Sequence, residues 1–283
     1  MSIETIARTQ ERAGVPDAVE ASLNFAERTV EKAYAYVGEP PPGVPRSNTV
    51  NHPHRVRIRN ARLAGELSLD VQGFAVVRHK TAVRDFWDEA QTLALGHPET
   101  AQLVKEVTGA ARVVVFDHTL RRQMDGVADR TPGVARQPVG RAHVDQTVDS
   151  GPQRVRDLMG DQAEDLLTRR VAIINVWRPI AYTARDRPLA VADARSIASS
   201  DLIASDLIFP HRTGEIYGLA YDPAQHWFYV PDLQPDEAML IKCWDSSAKV
   251  ARFTPHSGFE DPTTPPGTPP RQSIEFRTMA FFD

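Results

Sequence analysis

The chain contains one cysteine, Cys243, so no intramolecular disulfide can form and a reducing compartment fits. Set between Lys242 and Trp244 in an apolar run, that cysteine reads as a small buried residue and not as a thiol nucleophile. No apolar stretch approaches the ~20 residues that a membrane span needs. The polar opening MSIETIARTQERAG lacks the charged-then-apolar pattern of a signal peptide. A cytoplasmic protein without a membrane partner is expected. Basic excess is missing too: the net charge is −4 and the arginines are scattered among acids, which argues against nucleic acid as a partner. Internal repeats and low-complexity tracts are absent. What remains is ordinary globular material, 41% apolar and 25% charged over 283 residues. That length supports a sizeable core and is read as one domain, 1–283.

Helical spacing opens the chain. One helix is expected around residues 2–13, and a second over 16–36, where Val19, Leu23, Ala26, Val30 and Ala33 form a stripe. The proline-rich stretch 39–45 ends it and crosses the surface as a tether, so that 1–46 forms a helical extension to a core over 55–283. Strand candidates follow at 55–59, 73–77 and 112–116, with helices at 82–95 and 98–108. A helix capped by Asp149 or Ser150, with Pro152 in its first turn, buries Val155, Leu158, Met159, Ala163, Leu166 and Leu167. Further strands are expected at 171–177, 226–230, 238–244 and 274–282. Helices early and many short strands late describe a mainly β fold with flanking helices, a sandwich or jelly roll. Trp177, Tyr217, Tyr229 and Trp244 are expected in its core.

His143-Val144-Asp145 carries the chemistry. In an extended segment His143 and Asp145 point to one face, so both reach one metal without a special turn. A lone His-x-Asp is more often a surface strand. Here, however, a histidine beside a glycine, His256, follows strand 238–244, and a loop then leads to Arg271-Gln272-Ser273 and a terminal strand. Two imidazoles and one carboxylate suit non-haem Fe(II) with open coordination positions. Arg271 and Ser273 suit the carboxylate of a bidentate co-substrate. Taken singly, His256 would stabilise a turn and Arg271 would pair with Glu260 or Asp261. His211 and His226 compete with His256 as third ligand; His118 and His79 read as outer or core histidines. Arg178, ending the run VAIINVW, is either a rim salt bridge or a contact to a carboxylate of co-substrate or substrate.

These residues resemble a known family. Leu69-Asp70 with Gly73-Phe74, Phe116-Asp117-His118-Thr119-Leu120-Arg121, His143-Val144-Asp145 and Asn175-Val176-Trp177-Arg178-Pro179 carry the resemblance. Pro188-Leu189-Ala190, Asp193-Ala194-Arg195-Ser196, His226-Trp227-Phe228-Tyr229 and the stretch 242–277 complete it. From about residue 56 onward the chain resembles the Fe(II)/2-oxoglutarate-dependent oxygenases, in the hydroxylase/desaturase group that contains the cephamycin methoxylation protein and fungal gibberellin-type desaturases. The resemblance implies a double-stranded β-helix (cupin-like jelly roll) and iron held by His143, Asp145 and His256. It also implies 2-oxoglutarate and O2 as co-substrates, with Arg271, Ser273 and Arg178 on the acid, and a small-molecule substrate of specialised metabolism. His256 is preferred as third ligand because Arg271 follows at about the spacing by which this superfamily places its clamp. The alternatives are a cupin-like metal enzyme, isomerase or direct dioxygenase, that needs no 2-oxoglutarate, and a non-catalytic binding subunit. If the chain self-associates, a homodimer is the expected form.

Overall fold

Alternation of apolar and polar residues carries most of the chain into strands. The computed structural model describes residues 16–131 and 133–283. Its strands are β1 Ala18–Ala26, β2 Ala33–Tyr36, β3 Asn51–Asn60, β4 Phe74–Arg78, β5 Arg112–Arg122, β6 His143–Val144 and β7 Val171–Pro179. They continue with β8 Leu189–Ala192, β9 Leu202–Ile208, β10 Thr213–Leu219, β11 Trp227–Tyr229, β12 Glu237–Asp245, β13 His256–Gly258 and β14 Gln272–Phe281. Nine form one sheet, ordered β1-β3-β11-β8-β13-β6-β10-β9-β2, and five form the other, β4-β12-β7-β14-β5. The two sheets enclose Phe74, Val76, Trp177, Met239 and Ile241 from the smaller and Val191 and Phe228 from the larger. This is the mainly β jelly roll that the sequence predicts.

The smaller sheet is covered on its outer side as well. Leu103 and Val104 of helix His97–Thr108 pack with Val77, Val176, Leu240, Ile274 and Phe276. With both faces occupied, β7 and β12 are buried at every position, which is why they read as unbroken apolar runs.

The N-terminal expectation is overturned. The helix around 2–13 lies outside the described residues. The helix over 16–36 is instead β1 and β2, members of the large sheet and not an extension to it. In β1, Val19, Ala21, Leu23 and Phe25 are buried while Glu20, Ser22 and Asn24 are exposed, a period of two. Nine register pairs, from Ala18 opposite Arg59 to Ala26 opposite Asn51, tie its inner edge to β3. Val30, a member of the expected helical stripe, is fully exposed. Stretch 39–45 does run over the surface, as irregular chain with one turn at 42–43.

The other helices are trimmed. Residues 82–88 are not helical; Asp88 caps the turn Glu89–Gln91 by accepting from the Gln91 backbone, and a π-helical turn, Thr92–Gly96, leads into His97–Thr108. Helix Ser150–Met159 has Asp149 at its N-cap position and buries Val155, but Leu158 faces solvent. Strands β8, β9, β10 and β13 were not foreseen.

One glycine guards the approach to β13. Gly73 has φ +87°, and a Cβ there would collide with Thr254 Oγ1, which donates to the Gly73 carbonyl at 2.8 Å. Gly73→Ala combines left-handed strain with overpacking and is expected to cost about 2 kcal/mol or more. That lowers Tm by roughly 4–8 °C in a protein of this size, read by thermal denaturation. An unchanged Tm would show that the segment relaxes without cost.

Candidate metal centre

β6 and β13 lie side by side, antiparallel, with His143 directly opposite His256. Their rings are 4.5 Å apart. Each imidazole is oriented by a carbonyl two residues before it: His143 Nδ1 donates to Arg141 O at 2.9 Å, and His256 Nδ1 to Thr254 O at 3.1 Å. An Nδ1 that donates leaves Nε2 with a free lone pair, the tautomer a metal needs. Asp145 follows β6 by one residue and sets Oδ1 3.4 Å from His143 Nε2. Ligand atoms of His143, Asp145 and His256 all lie within 4.8 Å of one another. Two imidazole nitrogens and one carboxylate oxygen gathered in this way fit a non-haem Fe(II), a donor set that leaves coordination positions open.

The second oxygen of Asp145 is tied down. Asn175 Nδ2 donates to Oδ2 at 2.7 Å, and Arg277 Nε lies 3.4 Å away. Arg277 is itself fixed by Asp117, Thr119 and Glu275. Burial opposes ionisation of Asp145, but contact with His143 and the Arg277 charge hold its carboxyl well below the usual range. His256 goes the other way: burial and the neighbouring His143 lower its pKa, which keeps the ring neutral. Sequence reasoning assigned no role to Asn175 or Arg277. A polar Asn inside VAIINVW was the available signal, since a buried amide needs a partner.

Arg271 is 3% exposed, not the surface residue it could have been. Its Nε donates to Ser273 Oγ at 3.1 Å and its Nη1 to Arg187 O at 2.8 Å, and its guanidinium lies 4.9 Å from the Trp177 ring centre. No carboxylate forms an ion pair with it among the described residues; Glu260 pairs with Arg187 instead. Burial and the nearby Arg121 push its pKa down to about 9. Arg121 is buried too, opposite Ser273 across the β14–β5 ladder, and donates to Gln137 O. Asn175 Oδ1 and Trp177 Nε1 have no partner. An unpartnered donor, Trp177 Nε1, and a buried cation without an ion-pair partner among the described residues suit a polar, acidic guest.

Arg178 belongs elsewhere. Asn175 and Trp177 share one face of β7, so Arg178 falls on the other. It donates to His79 O and Pro235 O beneath the Phe86 ring, outside the barrel. The expectation that it contacts co-substrate or substrate is corrected by strand parity. His226 is exposed at the start of β11, and His211 is exposed in the turn between β9 and β10. His118 bonds His97 and Glu89, and His79 contacts Arg178; neither touches the triad. Cys243 is fully buried, and burial raises its pKa well above that of a free thiol, which leaves it inert.

Comparison with known proteins agrees with this geometry. A family model described as an oxidoreductase/YMDC permease-like domain matches residues 23–281. The hydroxylase/desaturase efuI of Hormonema carpetanum is 34% identical over 240 residues, covering 77% of this chain and 80% of that one. The Fe(II)/2-oxoglutarate-dependent dioxygenase nvfI of Aspergillus novofumigatus is 31% identical over 261 residues, covering 89% and 92%. Among solved structures, the iron and alpha-ketoglutarate-dependent endoperoxidase NvfI superposes with a TM-score of 0.84 at 29% identity, over 94% of this chain and 98% of that one. No helix among the described residues is long and apolar enough to cross a membrane. The chain belongs to the Fe(II)/2-oxoglutarate-dependent dioxygenase family that includes these hydroxylase/desaturases.

Proposed function

We propose that this protein oxidises a C–H bond of a small molecule of specialised metabolism, by hydroxylation or desaturation, with His143, Asp145 and His256 holding Fe(II). The observation that carries the reading is the convergence of two histidines, each with Nδ1 tied to its own backbone, upon one oxygen of Asp145. Fe(II) bound there, with 2-oxoglutarate and O2, supplies oxidation of the substrate with succinate and CO2 as co-products.

Arg271 presents a planar fork to the distal carboxylate of 2-oxoglutarate, and the Ser273 hydroxyl, already accepting from Arg271, is free to donate to the same group. Trp177 fixes the guanidinium plane. Along β7, Asn175 supports Asp145 and Trp177 lies beneath Arg271; two residues of strand span roughly 6–7 Å, a reach suited to a five-carbon diacid. Trp177 Nε1, an indole donor without a partner, offers a polar contact along that path. A 330 Å³ cavity bordered by Asp145, with Ile216, Leu207 and Phe209 in its walls, supports a substrate of small-molecule size. Nucleic acid is not a partner in this reading, and the lone buried cysteine suits work in the cytoplasm.

The test is stoichiometric conversion of 2-oxoglutarate to succinate by Fe(II)-loaded protein over a panel of small molecules. Complete absence of succinate would favour a metal enzyme independent of 2-oxoglutarate. Asn175 acts as a positioning residue in this scheme. Asn175→Ala is expected to weaken Fe(II) binding by about 10–100-fold, as loss of an outer hydrogen bond to a ligand does. Metal titration under anaerobic conditions reads it, and unchanged affinity would leave the orientation of Asp145 to Arg277 alone.

A further inference from the structure

The cavity bordered by Asp145 also carries two guanidinium groups that no carboxylate contacts directly among the described residues. Arg154, on helix Ser150–Met159, and Arg212, in the turn between β9 and β10, both line it. Neither forms an ion pair among the described residues. Of the acids in the same wall, Asp206, Glu215 and Asp157 are engaged with other groups, and Asp149 forms no ion pair with either arginine. Asp206 and Glu215 hold Lys32 at 2.6 and 2.8 Å, Glu215 also accepts from Thr147 at 2.5 Å, and Asp157 accepts from Gln153 at 2.7 Å. Each arginine rests on an aromatic ring, Arg154 at 5.7 Å from the Phe116 centre and Arg212 at 4.0 Å from that of Phe209. Stacking restrains the guanidinium plane and leaves its N–H edges to bind.

We infer that Arg154 and Arg212 recognise a carboxylate on the small-molecule substrate, which makes that substrate an organic acid. The inference rests on the reading that His143, Asp145 and His256 form the active centre. The two like charges, Arg154 half-buried and Arg212 exposed, repel each other, and burial together with Arg212 lowers the pKa of Arg154. An anion placed between them removes that repulsion and accepts forked, charge-assisted hydrogen bonds. Anchored there, the substrate has its remaining length to extend along the cavity towards Asp145. The carboxylate thereby selects which carbon stands at the metal centre.

Isothermal titration calorimetry tests this with two probes of one shape, 1-naphthoate and 1-naphthamide. Protein is loaded anaerobically with Fe(II) and saturating 2-oxoglutarate, so that the co-substrate clamp is closed to the probe. Wild-type protein is expected to bind the acid at least tenfold more tightly than the amide. That preference should fall to within about twofold in the Arg154→Gln/Arg212→Gln variant and to an intermediate value in each single variant, with melting temperatures recorded as the check on folding. Equal binding of acid and amide by wild type, or a preference that survives in a folded double variant, overturns the proposal. Failure of both 1-naphthoate and the linear acid octanoate to bind overturns it as well. Iron content and succinate formed by the same wild-type preparation separate the two readings. Their absence strikes at the dioxygenase assignment, whereas their presence without an acid preference strikes only at the anion site.

Discussion

His256→Ala is expected to lose iron and succinate formation together, while His226→Ala keeps both. His256 faces His143 across the β13–β6 pair with its Nδ1 satisfied, so its Nε2 is committed to the space beside Asp145. His226 is exposed before β11 and gives its backbone N–H to Ser196. Removing one of three protein ligands should exceed the 10–100-fold loss typical of an outer partner. His143→Ala and Asp145→Ala should behave as His256→Ala does. Metal analysis after dialysis at fixed pH, with melting curves to confirm folding, reads the result. Iron lost from His226→Ala and kept by His256→Ala would move the third ligand to β11.

Arg271→Ala is expected to raise the apparent KM for 2-oxoglutarate by an order of magnitude or more. Charge-assisted hydrogen bonds contribute about 1.5–3 kcal/mol, and roughly 1.4 kcal/mol is already tenfold. Arg271→Lys should recover only part, because it keeps the charge and loses the fork. Ser273→Ala should cost about one neutral hydrogen bond, ~1 kcal/mol, or roughly fivefold. Succinate measured against 2-oxoglutarate concentration decides among the three. An unchanged KM in Arg271→Ala would shift the clamp to Arg121, which is buried opposite Ser273. Arg178 is no longer a candidate, because it lies on the outer face of β7.

Strands buried on both faces were legible because their sequences contain little else: VAIINVW is apolar almost throughout, and helix 98–108 ends at a glycine with φ +72°. The edge of the larger sheet was not legible. Over residues 19–26 a helical stripe and a strand alternation select overlapping residues, with Phe25 belonging only to the second. Hydrogen bonding to β3 decides between them, and nothing within residues 16–36 encodes that partner. Short strands such as β13, three residues long, are below the length at which periodicity speaks.

Local order along the chain made the candidate site legible: His143 and Asp145 two positions apart, a later His256, then Arg271 and Ser273, form a candidate donor set and a candidate clamp by residue type and spacing. Tertiary structure alone brought His256, and neither His211 nor His226, beside His143, because strand order is a long-range property. It also turned Arg178 outward and Arg121 inward, supplied Asn175 and Arg277 to Asp145, and brought Arg154 and Arg212 to one cavity. Coordination and charge pairing act through space over a few ångströms, and only the packed sheets bring residues so far apart in sequence within that range.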